Sequence, residues 1–362
     1  MAKQIPDLNR MESLRKELGF KDPGIFEKSL YAFNLLGELL RVYPELIFKG
    51  GTSILLHIFP PVRLSIDIDI LLPVKEQERL KDTLGRMVSA SEWFNAVEED
   101  IRHGKIPKAH YKFRFTSQFS KEPQYVLLDV VFSEHPYKKI VEKDISKIPL
   151  FFADTKTIVR VPTPEGLLGD KMTAVSPKTI GIPLNKKRSM EALKQVIDLG
   201  ELFKIASDIE DIRQTFLTTA EQENGFRGTS YSIDEVLDDV TDIAFKYSQS
   251  LLRGADNSFP EIALINEGLS RVGNHLMRKI GPQDIKVAFA RIAYMASALK
   301  NKDKKRLIKT ADLSSIKDMA LPGKYKILER LKVINPEAYF YWVLAKEWSE
   351  IDHEADSSYE FT

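Results

Sequence analysis

Residues 23–41, PGIFEKSLYAFNLLGELLR, carry Phe26, Leu30, Phe33, Leu36 and Leu40 at spacings of three and four, which predicts an amphipathic helix that starts at a proline. From about Leu46 to Pro162 the pattern changes to short apolar runs broken by polar residues. ELIFKG, SIDIDILLP, HYKFRFTSQ, QYVLLDVVF and TIVRVP predict strands, with one helix through residues 75–90. After Pro164 the helical period returns over 164–175, 188–204, 208–222, 232–252, 260–277, 284–299 and 336–346. The fold class expected is therefore α+β: a mixed sheet with helices, followed by an α-helical C-terminal half. We expect two domains, 1–205 with its N-terminal helices and 206–362. Tyr111, Phe113 and Phe115 recur at period two in HYKFRF, so they read as core rather than as a base-stacking platform. After Lys346 an acidic tail holds Glu347, Glu350, Asp352, Glu354, Asp356 and Glu360.

Composition narrows the chemistry. The 362 residues include no cysteine, which excludes disulfides, thiolate nucleophiles, iron–sulfur clusters and cysteine-based zinc sites. No apolar run suits a secretory signal or a membrane span, so the expectation is a cytoplasmic protein with no membrane partner. Lysine and arginine number 53 against 52 acids, so there is no global positive field, and a nucleic acid would have to be held by local patches. Two clusters offer themselves: Lys186, Lys187 and Arg188, and Lys300, Lys302, Lys304, Lys305, Arg306 and Lys309. Each reads either as a phosphate-neutralising surface or as a solvated loop. His57, His103 and His110 have no metal-ligand spacing and read as structural.

The most informative stretch is Phe48–Leu72, FKGGTSILLHIFPPVRLSIDIDILL, in which a strand runs into two glycines, a short helix, a proline turn and a second strand. Alternation along that second strand puts Asp67 and Asp69 on one face and Ile66, Ile68 and Ile70 on the other. Residues i and i+2 stand about 6.6–6.8 Å apart along a strand, a spacing from which two carboxylates converge on one Mg²⁺ or bridge a pair of them. Such ligands suit a cation that holds a nucleoside triphosphate; the alternative is an edge strand whose acids face water. Arg63 and Ser65 share that face if the strand begins early enough. Gly50 and Gly51 either let backbone N–H groups approach a phosphate or simply make a tight turn. Asp129 lies inside the apolar run QYVLLDVVF, where an ionised group needs a cation or a strong donor, so it is a functional carboxylate or an arginine-paired core acid. Lys171 falls on the apolar stripe of Leu168, Met172 and Val175, where it binds phosphate or snorkels past its neighbours.

KGGTSILL followed by RLSIDIDIL, with a downstream helical lysine in GDKMTA, resembles the AbiEii/AbiGii nucleotidyltransferase toxin family, which includes the MenT group. The resemblance covers roughly residues 45–205. It implies a polymerase-β-like nucleotidyltransferase core in which Asp67, Asp69 and Asp129 are metal ligands. Lys49, Gly50, Gly51, Thr52, Arg63, Ser65 and Lys171 would then contact the nucleotide. Asp198, in QVIDL, matches the second acid of the family's Asp-x-x-Asp-Leu pattern; the usual first acid is Gln195 here, and KKR stands where the family has its arginine. Implied further are Mg²⁺ (or Mn²⁺) and an NTP, transfer to an acceptor hydroxyl with tRNA as the acceptor, a cognate antitoxin, and a toxin–antitoxin or phage-defence setting. Asp129 or Asp198 would accept the hydroxyl's proton. Two other readings stay open: a nucleotidyltransferase acting on a protein or small molecule, and a non-catalytic binding module that retains the fold.

Overall fold

A computed structural model describes residues 5–101, 107–152 and 155–357, of which 348–357 by their backbone only. His103, Glu360 and the side chains of Glu350, Asp352, Glu354 and Asp356 lie outside the described residues. The chain divides into two compact units: residues up to Thr163 together with Asn274–Lys279, and Pro164–Gly273 together with Ile280 onward.

The first unit holds helices α1 (Leu8–Glu17), α2 (Pro23–Val42), α3 (Gly50–Ser53) and α4 (Gln77–Ser89) and seven strands. The strands are β1 (Ile47–Lys49), β2 (Ile68–Leu72), β3 (Ala96–Glu99), β4 (Lys108–Thr116), β5 (Pro123–Phe132), β6 (Ile140–Asp144) and β7 (Ile158–Pro162). They form one mixed sheet in the order β3-β4-β5-β2-β1-β7-β6, with β2 parallel to β5 and β1 parallel to β7. α2 begins where Asp22 caps it, the Oδ1 accepting from the N–H of Ile25 at 2.9 Å, and Pro23 supplies a preset first φ. Its apolar stripe joins one sheet face in a single core: Phe26, Leu30, Phe33 and Leu36 with Phe48, Ile68, Ile70, Leu128, Val130 and Phe132. Tyr111, Phe113 and Phe115 are buried there, as their period predicts, and Phe115 stacks on Tyr31 with ring centroids 3.7 Å apart. The other sheet face carries a small second cluster, Ile47, Leu71 and Tyr137, flanked by Val131 and Ile140.

Burial within this unit fixes one titration. His57 donates from Nε2 to the Pro162 carbonyl at 2.9 Å, and desolvation, aided by Lys143, lowers its pKa from 6.5 to about 4. Between these values the unfolded chain binds the extra proton and the folded one does not, so stability present above pH 6.5 is lost as pH falls toward 4. We expect the unfolding free energy to drop by about 2 kcal/mol from pH 7 to pH 5 on this account. His57→Gln keeps an amide donor and should flatten that part of the profile in urea titrations at the two pH values.

The second unit comprises α5 (Pro164–Ala174), α6 (Ser189–Leu202), α7 (Ile209–Arg227), α8 (Ile233–Gln249), α9 (Pro260–Arg271), α10 (Pro282–Lys300), α11 (Leu331–Ile334) and α12 (Pro336–Ser357). α10 is its axis, with Ile285, Phe289, Ile292, Ala293 and Ala296 buried against α6, α8 and α12. The buried Arg213 guanidinium donates to the carbonyls of Ala298, Leu299 and Asn301 at 2.7–3.0 Å, satisfying the open carbonyls at the end of α10. The units meet in sequence at 163/164, whereas the sequence pattern puts the boundary at 205/206. α5 packs along α7, and α6 along α9 and α10, so both helices find their apolar partners among the helices that follow. Among the described residues no helix is long and apolar enough to cross a membrane.

Candidate active site

Strand pairing sets the site in the first unit. Lys49 stands opposite Asp69, Asp69 opposite Asp129, and Asp129 opposite His110. Residues paired in register project to the same side of a sheet, so these four ionisable side chains form a row across β1, β2, β5 and β4. The residues before and after them in each strand, such as Phe48, Ile70, Leu128 and Val130, go into the core. Like charges on facing positions repel, so Asp69 beside Asp129 calls for positive charge nearby. Lys49 stands at one end of the row, its Nζ 5.9 Å from the centroid of Tyr137. At the other end the Nδ1 of His110 lies 2.6 Å from Oδ1 of Asp129, with the side chains 13% and 29% exposed.

The two glycines have a steric reason. Gly50 has φ +75°, and a Cβ there would sit 2.0 Å from Oδ2 of Asp69; a Cβ on Gly51 would meet Arg63 Nη2 at 2.6 Å and Ser65 Oγ at 3.0 Å. The carboxylate, the guanidinium and the hydroxyl thus rest directly on the glycine turn. The expected phosphate site at a helix N-terminus changes character, because α3 is a single turn continued only by a 3₁₀ turn over Ile54–Leu56. What the turn offers is close approach rather than a sizeable helix dipole. Gly50→Ala should cost at least about 1–2 kcal/mol for the left-handed backbone alone and displace Asp69, so melting temperature and activity are both expected to fall.

Arg63 and Ser65 reach this turn by a different route from the one expected. β2 begins at Ile68, so neither residue lies on the strand, and Asp67 immediately precedes it. Arg63 instead pairs as an isolated antiparallel bridge with Leu276; Leu64 N–H donates to His275 O and Met277 N–H to Val62 O, each at 2.8 Å. Arg63 is buried as a result. Thr52 is also fully buried, and its hydroxyl donates to the backbone carbonyl of Asp67 at 2.6 Å, so it fixes the approach to β2.

In the second unit, Lys171 on α5 reaches α6. Its Nζ is 2.9 Å from Oδ2 of Asp198 and 2.8 Å from Oε1 of Gln195, and both members of the ion pair are over nine-tenths buried. The alternative of a solvated Lys194–Asp198 pair is therefore set aside. The lysine on an apolar stripe was the signal in the sequence, and Gln195, which replaces an acid of the family pattern, is one of its partners. Of the basic clusters, Lys186, Lys187 and Arg188 are exposed, with Arg271 donating to the Lys186 carbonyl at 2.8 Å. Lys300 is drawn to Asp238 at 2.7 Å, while Lys302, Lys305, Arg306 and Lys309 are exposed.

Among the described residues no three His, Asp or Glu side chains converge closely enough to hold a metal by themselves, so Asp67, Asp69 and Asp129 do not make a closed cage. Magnesium rarely uses one. It is commonly held by one or two carboxylates, with phosphate oxygens and water in the other positions. The oxygen-only pair Asp69 and Asp129, on neighbouring strands, fits that arrangement.

A family model described as nucleotidyl transferase AbiEii toxin of a type IV toxin–antitoxin system matches residues 38–304. No curated protein matches the chain. Among solved structures, the fold is similar to that of MenT4, a nucleotidyltransferase toxin of Mycobacterium tuberculosis. That likeness has a TM-score of 0.50 and 13% identity, and covers 80% of this chain and 93% of that one. A looser likeness, with a TM-score of 0.43, 16% identity and coverage of 76% and 93%, is to JHP933 from Helicobacter pylori.

Proposed function

Given that the chain belongs to the AbiEii nucleotidyltransferase toxin family of type IV toxin–antitoxin systems, we propose that it transfers a nucleotide from an NTP to a tRNA, at the 3′-terminal hydroxyl, with Mg²⁺ as its divalent cation. Family membership makes it a nucleotidyltransferase toxin with a cognate antitoxin. The register of Asp69 on Asp129 beside the glycine turn supports the cation and NTP site; tRNA as the acceptor rests on the family resemblance.

In this reading Asp69 and Asp129 would hold a divalent cation, which would supply positive charge to the triphosphate, while the acceptor hydroxyl attacks the α-phosphate in line and pyrophosphate leaves. Asp69 and Asp129 supply carboxylate oxygens, with Asp67 next to them in the chain. Lys49 and the Arg63 guanidinium, held against Gly51, add positive charge for the phosphates, and Ser65 adds a hydroxyl on the same turn. Preset charges of this kind stabilise a transition state because they need no reorganisation when it forms. Lys171 and Asp198 enter the proposal through the family resemblance alone.

The test is to incubate the purified protein with Mg²⁺, each α-³²P-labelled NTP in turn and total tRNA, beside Asp69→Asn, and to resolve the products on a denaturing gel. Labelled tRNA that disappears in the variant is the expected result. Label on a protein or a small molecule would overturn the tRNA assignment and leave the active site standing. Label that persists in Asp69→Asn would overturn the site.

A further inference from the structure

We propose that His110 is a positioning residue for the divalent cation: donating from Nδ1, it fixes the carboxylate of Asp129 through Oδ1 and leaves the other oxygen for the metal. The inference rests on the reading that Asp69 and Asp129 hold that metal. Three observations carry it. His110 and Asp129 are paired in register on β4 and β5, so the imidazole and the carboxylate rise side by side from the same sheet face as Asp69. Nδ1 and Oδ1 are 2.6 Å apart, within hydrogen-bond distance. The register itself is held from outside the hairpin. The loop from Ser117 to Glu122 that joins β4 to β5 is gripped by the buried Glu27 of α2, whose oxygens accept from Ser117 Oγ and Gln118 N–H, each at 2.6 Å.

The residue type matters at this position. A lysine or arginine beside Asp129 would neutralise the carboxylate and repel a cation. An imidazole that donates from Nδ1 orients the same carboxylate through one oxygen. A core histidine satisfied by any acceptor would not need this strand or this neighbour. His110 thus does for a carboxylate what outer-sphere partners do in metal sites generally, where their loss weakens metal binding about 10–100-fold.

The experiment measures Mn²⁺ binding to the full chain without nucleotide, by the loss of the free-ion paramagnetic resonance signal, for the parent, His110→Ala, His110→Gln, His110→Asn, Asp69→Asn and Asp129→Asn. An asparagine amide nitrogen falls close to the Nδ1 position and a glutamine one beyond it. We therefore expect His110→Ala and His110→Gln to bind Mn²⁺ about 10–100-fold more weakly, and His110→Asn to stay close to the parent. If His110→Ala unfolds, the contrast between the glutamine and asparagine variants still decides. Binding unchanged in the glutamine variant, or asparagine as weak as glutamine, overturns the inference while loss in Asp69→Asn and Asp129→Asn keeps the metal reading. Full binding in both aspartate variants overturns that reading itself, and the inference with it.

Discussion

Asp69→Asn is expected to lower the rate of nucleotide transfer by at least about a thousandfold, on the order of 4 kcal/mol of transition-state stabilisation, and to leave the fold intact. Asparagine keeps the shape that rests on Gly50, so the left-handed turn is undisturbed. It removes one of two facing negative charges, which relieves repulsion with Asp129, and it also removes an acid from beside Lys49. These effects oppose each other, so the melting temperature in metal-free buffer should correspond to a change within about 1 kcal/mol. Adding Mg²⁺ with an NTP should raise the melting temperature of the parent, because ligands bound only by the folded state stabilise it, and should raise that of the variant much less. Initial rates with labelled NTP and melts with and without ligand check both halves. A variant that melts far below the parent without ligand would make Asp69 a structural residue.

The second large effect lies in the helical unit and concerns stability first. Lys171→Met leaves the carboxylate of Asp198 buried without its cation, and breaking a buried pair from one side typically costs about 3–5 kcal/mol. Replacing both partners, Lys171→Met with Asp198→Leu, removes the stranded charge and should recover most of the loss, since apolar substitutes for a buried pair are often neutral. Urea unfolding of the two single variants and the double one gives the coupling directly. The double variant then separates scaffold from chemistry. If it is stable and inactive, Lys171 or Asp198 serves the transfer reaction beyond holding α5 to α6; if it is stable and fully active, the phosphate-binding role that the family resemblance gives Lys171 is wrong.

Much of the first unit could be read because its central strands obey strict alternation against a core. SIDIDILLP alternates so clearly that its two acids had to share a face away from the isoleucines, while in QYVLLDVVF Asp129 stood out as one charge in an apolar run, on the face of Leu127 and Val131; β2 and β5 prove to be neighbours. The strands that escaped, β3 and β6, are the two edges of the sheet. Their sequences, AVEE and IVEKD, are short and charged and contain no buried residue, as suits an edge with an unpaired side. α1 escaped for a related reason: of LNRMESLRKE only Met11 is buried. In the site, Asp69 and Asp129 announced themselves as charges among apolar residues. His110 could not, since its place beside Asp129 depends on the register across a loop that Glu27 holds from 90 residues away. Arg63 and Ser65 lie on the glycine turn but not on the strand expected to carry them, because the chain that pairs with Arg63, around His275 and Leu276, belongs to a distant stretch of sequence.

That clamp also imposes an order in time. His275 meets the backbone of Leu64 at a sequence separation of 211, so on the ribosome the loop beside Gly51 waits for that stretch to be made. At about 5–20 residues per second this delay is roughly 10–40 s. Through that interval Arg63 has no Leu276 to pair with, and a chain released before residue 274 lacks the partner of this loop altogether. The first unit is thus completed only by six residues, Asn274–Lys279, that are made after most of the second.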